Sequence, residues 1–353
     1  MRNLPLITLF ILTFAVPSFA GSGVELHPAP SPRSFPVAVA EDPSGNVWFL
    51  EARANKLVRF QPSISVFKEF EIPTSSSVPI DLAIGPDGRI WFVEQDANQI
   101  GSFDPKTGEF EEVEIPTPKS QAYKIAIDGH GRVWFTEFMA NKIGMLDPKT
   151  SKIKEFSIPT KQSQPVGIVA LDSGEVWFVE SQANKIARLE PETGKITEIT
   201  ISPPFAIPGE LVADGDGYLW FGARNSHKIV RFDLEKGVKG AKGSFKEFDM
   251  PGKRVPEGLA IDRKGMLWYC DSLGGRIGRF DTKSKSFLEI DLPKASGKPV
   301  DIAAGGSGLV WFTEVAKHNL GMVDTAKLIS GGGGKAGLSI KLAPSEQALL
   351  SGK

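Results

Sequence analysis

The sequence predicts an all-β fold, a seven-bladed β-propeller of four-stranded antiparallel blades around a central channel. Three observations predict it. The seven tryptophans, Trp48, Trp91, Trp134, Trp177, Trp220, Trp268 and Trp311, leave six intervals, five of 43 residues and one of 48. Each period holds four short apolar runs rich in Ile, Val, Phe and Trp and bounded by Gly, Pro, Asp or Asn, which are strand and turn signals. No segment after the first twenty residues sustains a helical stripe. A repeat of roughly 40–50 residues belongs to propeller blades or helix pairs, and strands within the period select the propeller.

In chain order, residues 1–20 read as a secretion leader. Arg2 begins it, residues 4–16 are apolar, and Pro17-Ser18-Phe19-Ala20 ends in small residues at a cleavage position. The apolar run is too short to span a bilayer, which needs about 20 residues. The expected protein is extracytoplasmic, periplasmic or secreted, with no membrane span. Residues 21–326 are assigned to the propeller and 327–353 to a Gly-rich linker and tail. A ring of blades must close on itself. Val24-Glu25-Leu26-His27-Pro28 resembles the fourth strands elsewhere and is expected to supply the outer strand of blade seven; residues 338–342 (LSIKL) are the competitor. The long interval before Trp268 places a five-residue insertion near residues 234–244, expected to be a solvated loop between the third and fourth strands of blade five.

The 41 basic and 42 acidic side chains nearly cancel, which argues against nucleic acid. A single cysteine, Cys270, excludes an internal disulfide and reads as a small buried hydrophobe. The common metalloprotease, hydrolase and nucleotide motifs are absent, and four histidines in all argue against a multi-histidine zinc site. A monomer with a small-molecule or peptide-like ligand is expected.

Within such a repeat, recurring positions are structural, and departures are where a site can be built. Three residues after each Trp stand Glu51, Glu94, Glu137, Glu180, Ala223, Asp271 and Glu314. Such regularity points to carboxylates bonding backbone N–H groups in the next loop or blade; the exception, Ala223 followed by Arg224, is more informative. Seven after each Trp stand Asn55, Asn98, Asn141, Asn184, His227, Gly275 and His318, residues suited to a left-handed turn. The first strand of each blade opens with proline in six cases, and the next two residues are expected to ring one channel mouth. There Asp81, Lys124, Glu210, Glu257 and Asp301 bring five charges, and Tyr123 an aromatic ring. Converging carboxylates suit a hard cation, Mg²⁺ or Ca²⁺, or a cationic or hydroxyl-rich ligand, or simply line an acidic funnel. No organic cofactor is expected. The candidate ligand-binding residues are Asp81, Tyr123, Lys124, Glu210, Arg224, His227, Asp301 and His318.

Val133-Trp134-Phe135-Thr136-Glu137 with Ala140-Asn141-Lys142-Ile143-Gly144, and again Trp311-Phe312-Thr313-Glu314, resemble the repeat of the streptogramin (virginiamycin B) lyase family, across about residues 24–325. The resemblance implies an enzyme that linearises cyclic depsipeptides by elimination at the ester, with Mg²⁺. It implies a base for the Cα proton, for which an imidazole is suited, and a metal that steadies the enolate. The implied positions lie in the last two blades. Glu314 matches one of them, but the two histidine positions hold Glu257 and Val300, and the preceding glutamate position holds Lys298. The expected function is therefore a ligand-binding propeller of this type without streptogramin-opening activity. The alternatives are an active Mg²⁺-dependent C–O lyase using Glu257 and Glu314 as catalytic groups, with Glu314 also a metal ligand, and a gluconolactonase-like metal-dependent hydrolase.

Overall fold

Strand by strand, the repeat folds into seven antiparallel sheets. The computed structural model describes residues 23–240, 243–292, 297–330 and 338–341, so the leader and the end of the tail lie outside the described residues. Blades one to six each run outward in chain order, as in blade three: Ala122–Ile127, Val133–Glu137, Lys142–Asp147 and Lys152–Ser157. Blade seven takes Pro299–Ala304, Leu309–Glu314 and Asn319–Asp324 from the chain's end and Val24–Pro28 from its beginning. Val24 pairs with Val323 and His27 with Leu320, so the N-terminal strand closes the ring. The competing segment is also a strand: Leu338–Lys341 adds a fifth member to the outer edge of blade six, against Phe287–Asp291.

The second strand of blades one to four is buried along its length, and that of blades five to seven at every residue but its first, which is why it carries the apolar run. The tryptophans anchor turns: Nε1 of Trp48, Trp134, Trp220 and Trp268 donates at 2.8–2.9 Å to Asp42, Asp128, Asp214 and Asp262 respectively, each in the turn between first and second strands. The aromatic residue after the tryptophan packs against the third strand where glycine faces it. At Gly144 and Gly321 a Cβ would sit 2.1 Å and 2.0 Å from the Phe135 and Phe312 rings, so both positions require glycine.

The asparagine turns form as expected. Asn141 adopts φ 57°, its Nδ2 donates to the Ile158 and Thr160 carbonyls, and its Oδ1 accepts from the Ser163 amide, tying one blade to the next. His227 and His318 take the same left-handed conformation, at φ 58° and 57°. The insertion departs from expectation. Leu234–Val238 forms one helical turn, N-capped by Asp233, whose side chain accepts from the Lys236 amide. A second short helix, Thr325–Ser330, follows blade seven, and Leu328 packs into the core between blades six and seven.

The repeated carboxylates are more deeply placed than expected. Glu51, Glu94, Glu137, Glu180, Asp271 and Glu314 are all 0% exposed. Asp271 accepts from the Val255 and Gly274 amides and Glu51 from the Ser31 amide, the anticipated role. Glu94, Glu137 and Glu180 each also face a second carboxylate on the outer strand, Glu112, Glu155 or Glu198. Those outer glutamates bond the preceding inter-blade loop, as when Glu155 accepts from the Thr117 amide and hydroxyl, both at 2.9 Å. Burial pushes Glu51, Glu94 and Glu180 up to about 7 and Glu137 to about 8, the Glu155 charge adding to the last. These folded pKa values stand above the unfolded glutamate value. Their stabilisation is thus full below about pH 4.5 and is lost as pH rises through 7–8. Glu155 and Glu198 are held below the ordinary range, chiefly by Lys142 and Lys185 against the opposing effect of burial, and contribute in the opposite sense at acid pH. The melting temperature is expected to fall between pH 5.5 and 8.5. Glu137→Gln, which mimics the protonated acid, should shrink that fall and melt above the parent at pH 8.5; identical pH profiles for parent and variant would refute the assignment.

Candidate functional site

At the start of each inner strand the sheet register breaks. In blade five it shifts between Pro208 and Leu211, in blade six between Pro256 and Leu259, and in blades two and seven between the proline and the second residue after it. Proline suits the first strand position because it has no amide hydrogen to place in the ladder. The bulge that follows re-aims the next two side chains.

The second residue after each opening position forms one layer: Ala38, Asp81, Lys124, Gly167, Glu210, Gly258 and Asp301. Here the charges meet. Lys124 Nζ lies 3.1 Å from Asp81 Oδ1, 2.5 Å from Glu210 Oε2 and 3.9 Å from Asp301 Oδ1. The other oxygen of each aspartate is held by a neighbouring blade: Asp81 Oδ2 accepts from the Ile125 amide at 2.8 Å and Asp301 Oδ2 from the Val39 amide at 2.9 Å. Burial pushes Asp81 up to about 7 and Asp301 to about 6, with the Lys124 charge opposing the rise, while the three carboxylates hold the Lys124 ammonium well above its usual range despite burial.

The first residue after the opening position forms the layer above. Most members are apolar or glycine; Tyr123 and Glu257 are the exceptions. Glu257 does not join the axial cluster. Its Oε2 lies 3.5 Å from Arg224 Nη1, and its Oε1 accepts from the Ser272 hydroxyl at 3.4 Å. Arg224 reaches this place because Gly209 stands opposite: a Cβ there would lie 2.6 Å from Arg224 Nε. Burial raises the Tyr123 hydroxyl, and its ring lies 5.9 Å from Phe138. Around this face the loops of blades three, five and six expose Met139, Phe205, Ile207 and Leu273. Ser272, Gly209 and these rim side chains are additions to the sequence-derived set; Gly209 was marked only by being the sole glycine in its layer.

The remaining candidates sit apart. His227 Nδ1 donates to the Arg254 carbonyl at 2.9 Å, and His318 Nδ1 accepts from the Phe35 amide at 3.3 Å, so both rings serve their turns. Glu314 is buried in the row of repeated carboxylates, with Oε2 accepting from Asn319 Nδ2 at 2.7 Å. Cys270 is buried behind the axial cluster, its Sγ 3.6 Å from the Asp301 carbonyl. Its thiol is raised well above the usual range by burial.

Seven four-stranded antiparallel blades closed into a ring around a central channel define a β-propeller. The Virginiamycin B lyase family matches residues 19–173 and 148–331, and the chain belongs to that family. Virginiamycin B lyase from Staphylococcus aureus is 28% identical, covering 85% of this chain and 98% of its own, with a TM-score of 0.78. A streptogramin B lyase structure is 29% identical, covering 90% and 97%, also at 0.78. A catalytically inactive variant of the Staphylococcus aureus enzyme with quinupristin is 28% identical, covering 85% and 98%, at 0.77. No curated protein matches.

The family resemblance implies Mg²⁺, and the residues present do not fit it. Glu314 is sealed beneath the surface, Lys298 and Val300 offer no ligand, and the axial carboxylates already hold an ammonium. Among the described residues no group of three or more His, Cys, Asp and Glu side chains is arranged to hold an ion.

Proposed function

We propose that this family member works outside the cytoplasm as a binding propeller, taking a small amphipathic, peptide-like ligand at the channel mouth without opening a streptogramin ring. One observation carries the reading: where the resemblance implies two imidazoles, the chain has Val300 and a Glu257 tied to Arg224 and Ser272. The four histidines are engaged elsewhere. His27 packs 4.7 Å from the Phe60 ring, His130 lies in a turn at the opposite end of the inner strand, and His227 and His318 hold their loops. Arg224, Tyr123 and Glu257 offer a polar floor, and Phe205, Ile207 and Leu273 an apolar rim. Export rests on the leader-like residues 1–20, and N-terminal sequencing of exported protein should begin at Gly21.

Family membership favours a second reading, a C–O lyase with Glu257 in the base position. Incubation with a streptogramin B and Mg²⁺ separates the two, since the ring-opened isomer has the parent's mass and a different retention time. No product is expected beside an active control enzyme. Product that disappears in Glu257→Ala would establish the lyase reading instead. A thermal-shift screen of cyclic and linear apolar peptides should find stabilisation that Arg224→Ala loses; shifts equal in both proteins would place binding elsewhere.

A further inference from the structure

We propose that Lys124 is a resident cation. It fills the place of a divalent ion on the channel axis, so this propeller needs none there, and removing the ammonium opens a divalent-cation site on Asp81, Glu210 and Asp301.

The layer itself argues for this. Three acids from blades two, five and seven surround one ammonium from blade three, and the other three members, Ala38, Gly167 and Gly258, are small. No second cationic side chain stands in the layer. Two of the three carboxylates do not depend on Lys124 for their orientation. Backbone amides of Ile125 and Val39 fix one oxygen of Asp81 and of Asp301, and the other oxygen of each faces the ammonium. Three carboxylate oxygens thus lie within 3.9 Å of one point. Calcium takes 6–8 oxygens at about 2.3–2.6 Å, so shifts on the order of 1 Å plus water would complete its shell. The lysine backbone is pinned as well, its amide donating to Thr136 Oγ1 at 3.0 Å, so truncating the side chain removes the cation and leaves the blade in place.

The test is thermal melting of the protein and of Lys124→Ala, with and without millimolar Ca²⁺. The parent should show no saturable shift. Lys124→Ala should melt lower in chelator and regain several degrees in Ca²⁺, and the double variant Lys124→Ala/Asp81→Asn should lose most of that gain. A saturable shift in the parent that Asp81→Asn removes would overturn the proposal, because the axis would then hold an ion beside the lysine. A folded Lys124→Ala indifferent to Ca²⁺ would overturn it equally. If Lys124→Ala is recovered soluble only when Ca²⁺ is present during refolding, the proposal is supported, and equal failure with and without Ca²⁺ counts against it.

Discussion

Lys124→Met should lower the stability by about 3–5 kcal/mol at pH 8, the range found when one partner of a buried ion pair is removed. In a chain of this size that corresponds to a fall in melting temperature of about 4–7 °C. Methionine keeps most of the lysine stem's apolar volume, so the loss isolates the charge. What remains is three carboxylates with side-chain exposures of 8%, 14% and 17% and no counter-ion. Protonation relieves them. Asp81 and Asp301 already stand at about 7 and about 6 with the ammonium beside them, and without it both rise further. A folded pKa above the unfolded one gives stability that is present at low pH and lost as pH rises, so the deficit should be smaller at pH 5 than at pH 8. Urea unfolding at the two pH values checks this, and a deficit of equal size at both would show that charge is not the cause. Because methionine still fills the site, Ca²⁺ should not restore this variant as it restores Lys124→Ala.

The axial cluster shows how far a repeat can be read. Asp81, Lys124, Glu210 and Asp301 share one position in the 43-residue period, and Tyr123 and Glu257 share the position before it. Repeat position therefore sorts charges into layers, and the strand bulges carry both layers to the channel. It does not say which charges meet. That Lys124 holds three of the acids, and that Glu257 turns to Arg224, depends on side-chain reach and on the space above Gly209. The paired carboxylates were legible in principle, because Glu69, Glu112, Glu155, Glu198 and Glu289 each follow a repeated buried acid by 18 residues. The seven blades, their four-stranded plan and the left-handed turns follow from local chemistry and came through intact, with one strand added to blade six. The helical turn at Leu234–Val238 was hidden by its Lys and Gly content and emerges from one N-cap, Asp233.

Family membership and site chemistry point in different directions here, and the same separation explains why. The positions that make the fold, from the Trp–Asp pairs to the Asn turns, lie in the blades and between them. Two of the four positions the resemblance assigns, those of Glu257 and Val300, lie in the layer of first residues after the opening proline, and that layer can change without touching the blades. Fold-level kinship therefore fixes the scaffold, while the mouth residues decide the chemistry.

Removal of residues 23–28 is expected to have the other large effect. Val24 and Leu26 are 2% and 5% exposed and belong to the core between blades six and seven, while His27 packs against Phe60 of blade one and Trp311 of blade seven. Burying each aliphatic side chain is worth about 1.5–3 kcal/mol, so the two alone contribute on the order of 3–6 kcal/mol before any ladder bond is counted. The deletion also leaves Asn319–Asp324 as an unpaired edge facing solvent, a template for association between chains. We expect melting to fall by roughly 10 °C or more, with concentration-dependent aggregation on heating. Deleting residues 338–353 gives the contrast: Leu338–Lys341 adds to a blade that is already four-stranded, so its loss should move the midpoint by no more than about 2 °C. Melting curves for the two deletions side by side decide the matter. If the N-terminal deletion melts with the parent, or the tail deletion melts with it, the first strand does not lock the ring.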